Sequence, residues 1–157
     1  MTARADARSA PIRSPFALPA RLPASLARVR AYWSGLLRGE ARIPFWDDLK
    51  PTELPDPAER LLLIDVFERP TRFRFNSVGK EVACEPVAGR FLDEIEPGPR
   101  LEFLASQCSA TVEGCAPTFF RGTSIPGGSA GEGYSRLLLP LWGDGRIGML
   151  LGAFDLG

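Results

Sequence analysis

The sequence predicts an α+β domain built on a five-stranded antiparallel sheet with the strand order 2-1-5-4-3. Residues 61–83 begin with two strand-like segments joined by a short turn, and residues 137–154 form a second hairpin after a helical middle. Consecutive strands of this kind pair as hairpins, and the two groups share one sheet if the first strand lies beside the last. Helices between the two groups then cover one face of the sheet.

Length and composition favour a single globular domain. A chain of 157 residues is long enough to bury a hydrophobic core, and 45% hydrophobic and 24% charged residues are ordinary values for such a domain. No run approaches the roughly 18 apolar residues that span a bilayer, so we expect no membrane association.

Charge is unevenly distributed along the chain. Residues 1–42 carry eight arginines against Asp6 and Glu40, whereas the remainder carries eleven basic and seventeen acidic side chains. Because the body is net negative, we expect no nucleic-acid binding. Residues 1–23 lack apolar periodicity, so we expect a flexible basic tail followed by a domain over residues 24–157.

The first helix is predicted over residues 25–38, with Ser25 as its N-cap and Gly39 just after its end. Its apolar stripe must be buried, either on the sheet of the same chain or against the helix of a second copy. Large aromatic residues often anchor interfaces, which favours a homodimer. The predicted interface consists of Val29, Tyr32, Trp33 and Leu36.

The first hairpin is indicated by Phe73 and Phe75, which alternate with arginines. One face of the strand is therefore expected to be buried and the other exposed to solvent. Its turn is predicted at residues 68–71. We expect Ser77 to cap a short helix that continues to Val82, and a single helical turn at residues 91–95.

The central helix is predicted to begin near Pro97 or Pro99, where proline is tolerated, and to end at Gly114. Three strands follow, at residues 118–125, 134–142 and 146–154. The last two are joined by a Gly-Asp-Gly turn at residues 143–145, which is a strong hairpin signal. We expect the glycine-rich segment 127–133 to form a hairpin loop, since no P-loop pattern or helix follows it.

Catalytic and metal chemistry have little support in the residues. The chain contains no histidine, which excludes a His-ligated haem and removes the commonest general base. Cys108 and Cys115 lack the further ligands of a zinc site, so we expect no metal centre and no enzyme activity. The three cysteines have no CxxC spacing and no secretory signal precedes them, which favours a reducing cytoplasm.

Several short segments, in this order, resemble a bacterial subfamily of PAS domains in which a Tyr-Trp helix precedes the domain. The similar segments are Ala31-Tyr32-Trp33, Leu63-Ile64-Asp65-Val66, Arg72-Phe73-Arg74-Phe75 with Val78-Gly79, residues 88–94 (AGRFLDE), and residues 137–141 (LLLPL) with Asp144-Gly145 and residues 150–153 (LLGA). The resemblance covers residues 26–155. It implies a sensory or signalling domain that binds a small ligand between sheet and helices, or pairs with itself or with a signalling protein.

The resemblance also directs attention to the space between sheet and helices. The residues expected to face this space are Phe73, Phe75, Phe91, Leu104, Cys108, Phe119 and Leu138. If the space is hollow, they line an apolar pocket for a neutral ligand; if it is packed, the domain is a ligand-free adaptor. Flavin photosensors of this fold need a cysteine in an Asn-Cys-Arg-type motif, and the neighbourhood of Cys84 does not match it, so we do not expect a flavin.

Overall fold

A computed structural model describes residues 16–83, 86–96, 98, 100–122 and 133–156. Its main elements are α1 (Ala24–Gly35), β1 (Leu61–Phe67), β2 (Arg72–Val78), α2 (Leu104–Gly114), β3 (Thr118–Gly122), β4 (Tyr134–Gly143) and β5 (Arg146–Asp155). Short 3-10 helices lie at Trp46–Asp48, Pro51–Glu53, Ala58–Arg60 and Leu92–Glu94.

The five strands form one antiparallel sheet in the order β2-β1-β5-β4-β3, which confirms the predicted α+β, PAS-like architecture. The first strand pairs with the last, as Leu63 lies opposite Leu151. The turn between β4 and β5 is also as predicted. Asp144 and Gly145 both have positive φ, 56° and 77°, as a two-residue turn that matches the twist of the strands requires.

The sheet is covered on both faces. We call inner the face that carries Ile64, Phe75, Leu138 and Leu150, which pack with Leu104 of α2 in one apolar cluster. The outer face carries Leu137, Leu139 and Leu151, and α1 packs on it through Leu26, Val29 and Trp33. Helix α1 therefore buries its apolar stripe on the sheet of its own chain, one of the two positions left open by the sequence.

Burial on both faces explains the composition of the central strands. Side chains of β4 alternate between the two clusters, so residues 137–142 of this strand form a continuous apolar run with no polar face. Gly152 of β5 occupies a point on the inner face where a Cβ would come within 2.7 Å of Leu62 Cδ1. A larger residue there would displace core side chains.

Two helix predictions need correction. Helix α1 spans Ala24–Gly35, not residues 25–38, and its N-cap is Pro23. Ser25 lies inside the first turn, where its hydroxyl donates to Asp155 Oδ2 at 2.8 Å. The predicted helix from Ser77 is wrong, because β2 continues to Val78 and residues 80–82 form a turn.

The remaining boundaries differ to a smaller extent. Helix α2 begins at Leu104, later than expected, whereas the predicted turn at residues 91–95 is confirmed by the 3-10 helix Leu92–Glu94. Strand β3 spans Thr118–Gly122. Residues 123–132, which include the end of the predicted third strand and most of the glycine-rich segment, lie outside the described residues, as do Pro97 and Pro99.

The expected boundary of the tail at residue 23 also changes. The Phe16 carbonyl accepts a hydrogen bond from the Phe119 N–H at 3.0 Å, and the Phe16 ring lies 6.1 Å from that of Phe120. Leu18 and Leu22 pack against the outer-face cluster. Residues 16–23 therefore belong with the domain, and residues 1–15 lie outside the described residues.

Candidate functional site

An apolar cavity of about 140 Å³ lies between the inner face of the sheet and the start of α2. Phe75 of β2 forms its floor, and the 3-10 turn at residues 92–94 and the segment before α2 form its walls. Its apolar lining comprises Phe75, Leu92, Ile95, Leu101, Phe103 and Leu104, and Ala105 and Ser106 complete it. This surface suits an uncharged guest, since its one polar side chain is a hydroxyl.

Five of the seven residues expected to face this space do so. Phe73, Phe75, Leu104, Cys108 and Leu138 are buried in the inner-face cluster. Phe75 and Leu104 line the cavity itself, whereas the other three are packed core around it. The cavity is thus displaced from the centre of the predicted set toward the chain that precedes α2.

Phe91 does not face this space. Its ring lies 5.5 Å from that of Phe67, and the Arg72 guanidinium stacks over it at 3.8 Å. Arg72 and Arg74 alternate with Phe73 and Phe75 along β2, so the arginines lie on the opposite face of the strand. Phe91 packs on that face, against the arginines. Its neighbour Leu92 takes the predicted place in the cavity wall.

Phe119 is also on the other side of the sheet, where it joins the outer-face cluster with α1. Phe120 is the β3 phenylalanine that packs in the inner-face cluster. Because both positions hold phenylalanine and both faces of the sheet are covered, the alternation that normally assigns a strand's faces is missing here.

A buried arginine beside the cavity was not anticipated. Arg136 of β4 is fully buried on the inner face, and its three partners are neutral acceptors. Nη1 donates to the Arg100 carbonyl at 3.0 Å, Nη2 to the Glu102 carbonyl at 2.6 Å, and Nε to Gln107 Oε1 at 2.7 Å. The guanidinium therefore fixes the backbone on either side of Leu101, a cavity wall residue.

The same network joins α2 to the sheet. Gln107 Nε2 donates to Thr118 Oγ1 at 3.0 Å, and the hydroxyls of Thr111 and Thr118 lie 2.6 Å apart. Thr111 Oγ1 also donates to the Gln107 carbonyl. All these side chains are buried, so each bond forms away from competing water.

Burial shifts the ionisation of this cluster. Desolvation lowers the pKa of the Arg136 guanidinium, and it raises the pKa of the Cys108 thiol to about 12. The pKa of Tyr134 is also raised to about 12, first by burial, and its hydroxyl donates to Glu102 Oε1 at 3.1 Å. Cys108 is therefore a neutral packing residue, not a nucleophile, at physiological pH.

The sequence held one signal for this cluster. Arg136 stands two positions from both Tyr134 and Leu138 in a strand that is apolar from residue 137 to 142, so alternation places it on the same face as these two buried residues. A lone arginine within a buried strand requires buried partners. The identity of those partners, two backbone carbonyls and one glutamine, depends on the tertiary structure.

Three of the residues assigned to an interface lie on α1, and the fourth, Leu36, is its C-cap. Val29 and Trp33 are buried on the outer face of the same chain, and the Trp33 indole N–H donates to the Pro140 carbonyl at 2.8 Å. Tyr32 and Leu36 are half-buried at the margin of this contact. The stripe that suggested a dimer is thus occupied within the chain.

No cluster of cysteine or carboxylate side chains that could hold a metal ion occurs among the described residues. Cys108 and Cys115 are free thiols, the first buried and the second exposed. Asp56 is a buried carboxylate whose Oδ2 has no hydrogen-bond partner, and burial raises its pKa.

Searches of protein-family models, of curated proteins and of solved structures find no match to this chain. Within the part of the chain that the structure describes, no helix has the length and apolar character needed to cross a membrane.

Proposed function

We propose that this chain is a non-catalytic regulatory domain of the PAS family. In this proposal it binds a small apolar ligand between the sheet and α2, and it acts by contact with a signalling protein or a second copy. The observation that carries the proposal is the apolar cavity of about 140 Å³ that Phe75, Leu101 and Leu104 help to line. The cavity opens to solvent where Ala105 and Ser106 are exposed, and a guest there would remove its apolar lining from water.

The family assignment is supported by the strand order 2-1-5-4-3 and by the Tyr-Trp helix that precedes the sheet. The absence of catalysis is supported by the lack of histidine and by the structural role of Arg136, whose side chain bonds two backbone carbonyls and the Gln107 amide. The free thiols of Cys108 and Cys115 suit a reducing cytoplasm, to which we assign the protein.

A ligand-free adaptor is the second candidate. An open groove of about 400 Å³ favours the adaptor function. Its lining includes Ile43, Phe45, Cys115 and Trp142. Trp46, which is 49% exposed, belongs to the 3-10 helix that directly follows Phe45. In this reading the cavity on the inner face stays empty and function depends on the surface alone.

Ligand binding is tested by native mass spectrometry of protein purified from its own host, followed by a thermal-shift screen of hydrophobic metabolites. A ligand at a hundredfold excess over Kd stabilises the native state by about 2.7 kcal/mol, or roughly 5–10 °C in Tm for a chain of this size. Absence of any bound mass and of any Tm shift would support the adaptor instead.

Two tryptophan variants test whether the ligand binds in this cavity. Ala105→Trp adds bulk at an exposed wall residue without removing a core side chain, and it should abolish the ligand-induced shift. Ala88→Trp makes the same substitution at an exposed loop position that does not line the cavity, and it should retain the shift. Equal shifts in both variants would place the ligand elsewhere.

A further inference from the structure

Phe103 is the unusual residue of the cavity. It lines the wall yet leaves 64% of its surface exposed, and its backbone is left-handed, with φ 56° and ψ 22°. Residues other than glycine, and bulky ones above all, rarely adopt this conformation, because Cβ crowds the backbone. Strained residues of this kind are concentrated at ligand sites, where the surrounding structure holds them in place.

The backbone around Phe103 is held from both sides. The Phe103 carbonyl accepts a hydrogen bond from the Gln107 N–H at 3.0 Å, which forms the first turn of α2. The preceding carbonyl, that of Glu102, accepts from Arg136 Nη2 at 2.6 Å. The buried guanidinium therefore keeps the chain in a conformation that the Phe103 side chain itself disfavours.

The ring of Phe103 is much less constrained than its backbone. It meets Phe120 edge to face, with centroids 5.7 Å apart, and its other side is exposed to solvent. A phenylalanine that served only the core would be buried, as Phe75 and Phe120 are. From this combination we propose that Phe103 is the movable outer wall of the cavity and sets the size of ligand that it admits.

The volume and lining define the class of ligand, an inference that rests on the ligand-binding function proposed above. Apolar cavities of about 150 Å³ lined by leucine, isoleucine and phenylalanine stay dry and bind benzene. The cavity here has a comparable volume of about 140 Å³ and a similar apolar lining, but it opens to solvent at Phe103, Ala105 and Ser106. The ligand is therefore a neutral molecule with a single aromatic ring or a similar volume.

Toluene and naphthalene serve as one-ring and two-ring probes, with binding measured by titration calorimetry. Wild-type protein should bind toluene and exclude naphthalene. Phe103→Asn removes the ring but keeps a residue that tolerates the left-handed conformation. This variant should bind toluene at least tenfold more weakly and should admit naphthalene, while its Tm stays equal to that of the wild type or rises.

Leu37→Asn, at an exposed apolar residue that does not line the cavity, is the control and should bind both probes as the wild type does. If Phe103→Asn matches the wild type with both probes, or if its Tm falls as for a core residue, Phe103 is not the wall. Ligand binding itself would then stand. Wild type that binds a larger metabolite but not toluene would overturn the size class alone. Absence of binding to every apolar compound would overturn both proposals.

Discussion

At the scale of single residues, Arg136 is the most consequential side chain of the inner face. Two opposing effects act on it. Removing a cation from water costs several kcal/mol, and no carboxylate among its three direct partners offsets that cost. Each charge-assisted hydrogen bond contributes about 1.5–3 kcal/mol in return, and loss of the donor would leave buried acceptors without partners. We expect the three bonds to outweigh the desolvation.

Arg136→Met should therefore lower the free energy of unfolding by about 2–4 kcal/mol, because the carbonyls of Arg100 and Glu102 and the Gln107 side chain lose their donors. Arg136→Lys keeps the charge but lacks the planar fork that reaches three acceptors, so it should lose part of this stability. Urea unfolding at pH 7 measures both variants. A methionine variant as stable as the wild type would mean that desolvation cancels all three bonds.

At the scale of elements, α1 is an integral layer of the fold. Trp33 is 5% exposed and bonded to the Pro140 carbonyl of β4, and Leu26 and Val29 are fully buried beside it. A helix of 12 residues is too short to be stable alone, so this contact holds it in its helical form. A contact between α1 and a second copy must therefore use residues at the margin of this helix, such as Tyr32.

Trp33→Ala should lower the free energy of unfolding by about 3–5 kcal/mol, the usual cost of truncating a buried tryptophan. Trp33→Phe keeps most of the apolar contact but removes the indole N–H, so it should cost about 1–2 kcal/mol. Thermal unfolding followed by circular dichroism measures the loss, and light scattering reports the oligomeric state of the same samples. If the alanine variant is as stable as the wild type but its oligomeric state changes, α1 forms an interface between copies and is not a structural layer.

The sequence predicted elements well where the signal was local. The Gly-Asp-Gly turn fixed the last hairpin, and the alternation of Arg72 to Phe75 assigned the faces of β2. The predictions failed where tertiary contacts decide. Ser77 resembles a helix cap, but pairing with Leu63 keeps it in β2. Phe119 and Phe120 are the same residue type, so the sequence does not show which of them points to the inner face. The contact of Phe119 with the outer-face cluster of α1 decides it.

The candidate site was predictable to a similar extent. The lining residues Phe75 and Leu104 follow from the strand alternation and the helical stripe, which need only local periodicity. Phe103 and Leu101 precede α2 in an irregular segment, where no periodicity exists to read. Their positions depend on hydrogen bonds between Arg136 and the Arg100 and Glu102 carbonyls, 36 and 34 residues earlier in the chain.

At the scale of the whole molecule, both edges of the sheet carry an extra segment of chain. The Phe75 N–H on edge strand β2 donates to the Arg90 carbonyl at 2.9 Å, and the Phe75 carbonyl accepts from the Gly89 N–H at 2.7 Å. On the other edge, the Phe119 N–H of β3 donates to the Phe16 carbonyl at 3.0 Å. Unpaired strand edges invite association with other chains, so these segments help to keep the sheet from pairing further.

The segment at residues 16–22 should therefore contribute to the stability of the whole domain. Deleting residues 1–22 removes the bond to Phe119, the Phe16–Phe120 ring contact and the packing of Leu18 and Leu22. Partly buried apolar side chains at about 1 kcal/mol each and one hydrogen bond of about 1 kcal/mol give an expected loss of about 2–4 kcal/mol. The deletion leaves Pro23 in place as the N-cap of α1.

Deleting residues 1–15 is the matched control, since it removes none of these contacts and should leave the urea midpoint close to that of full-length protein. The two deletions compared by urea unfolding thus locate the domain boundary. Because the 1–22 deletion also exposes the β3 edge, its aggregation at high micromolar concentration should exceed that of the control, as measured by light scattering. If both deletions match the full-length chain in stability and solubility, the boundary at residue 23 expected from the sequence is the correct one.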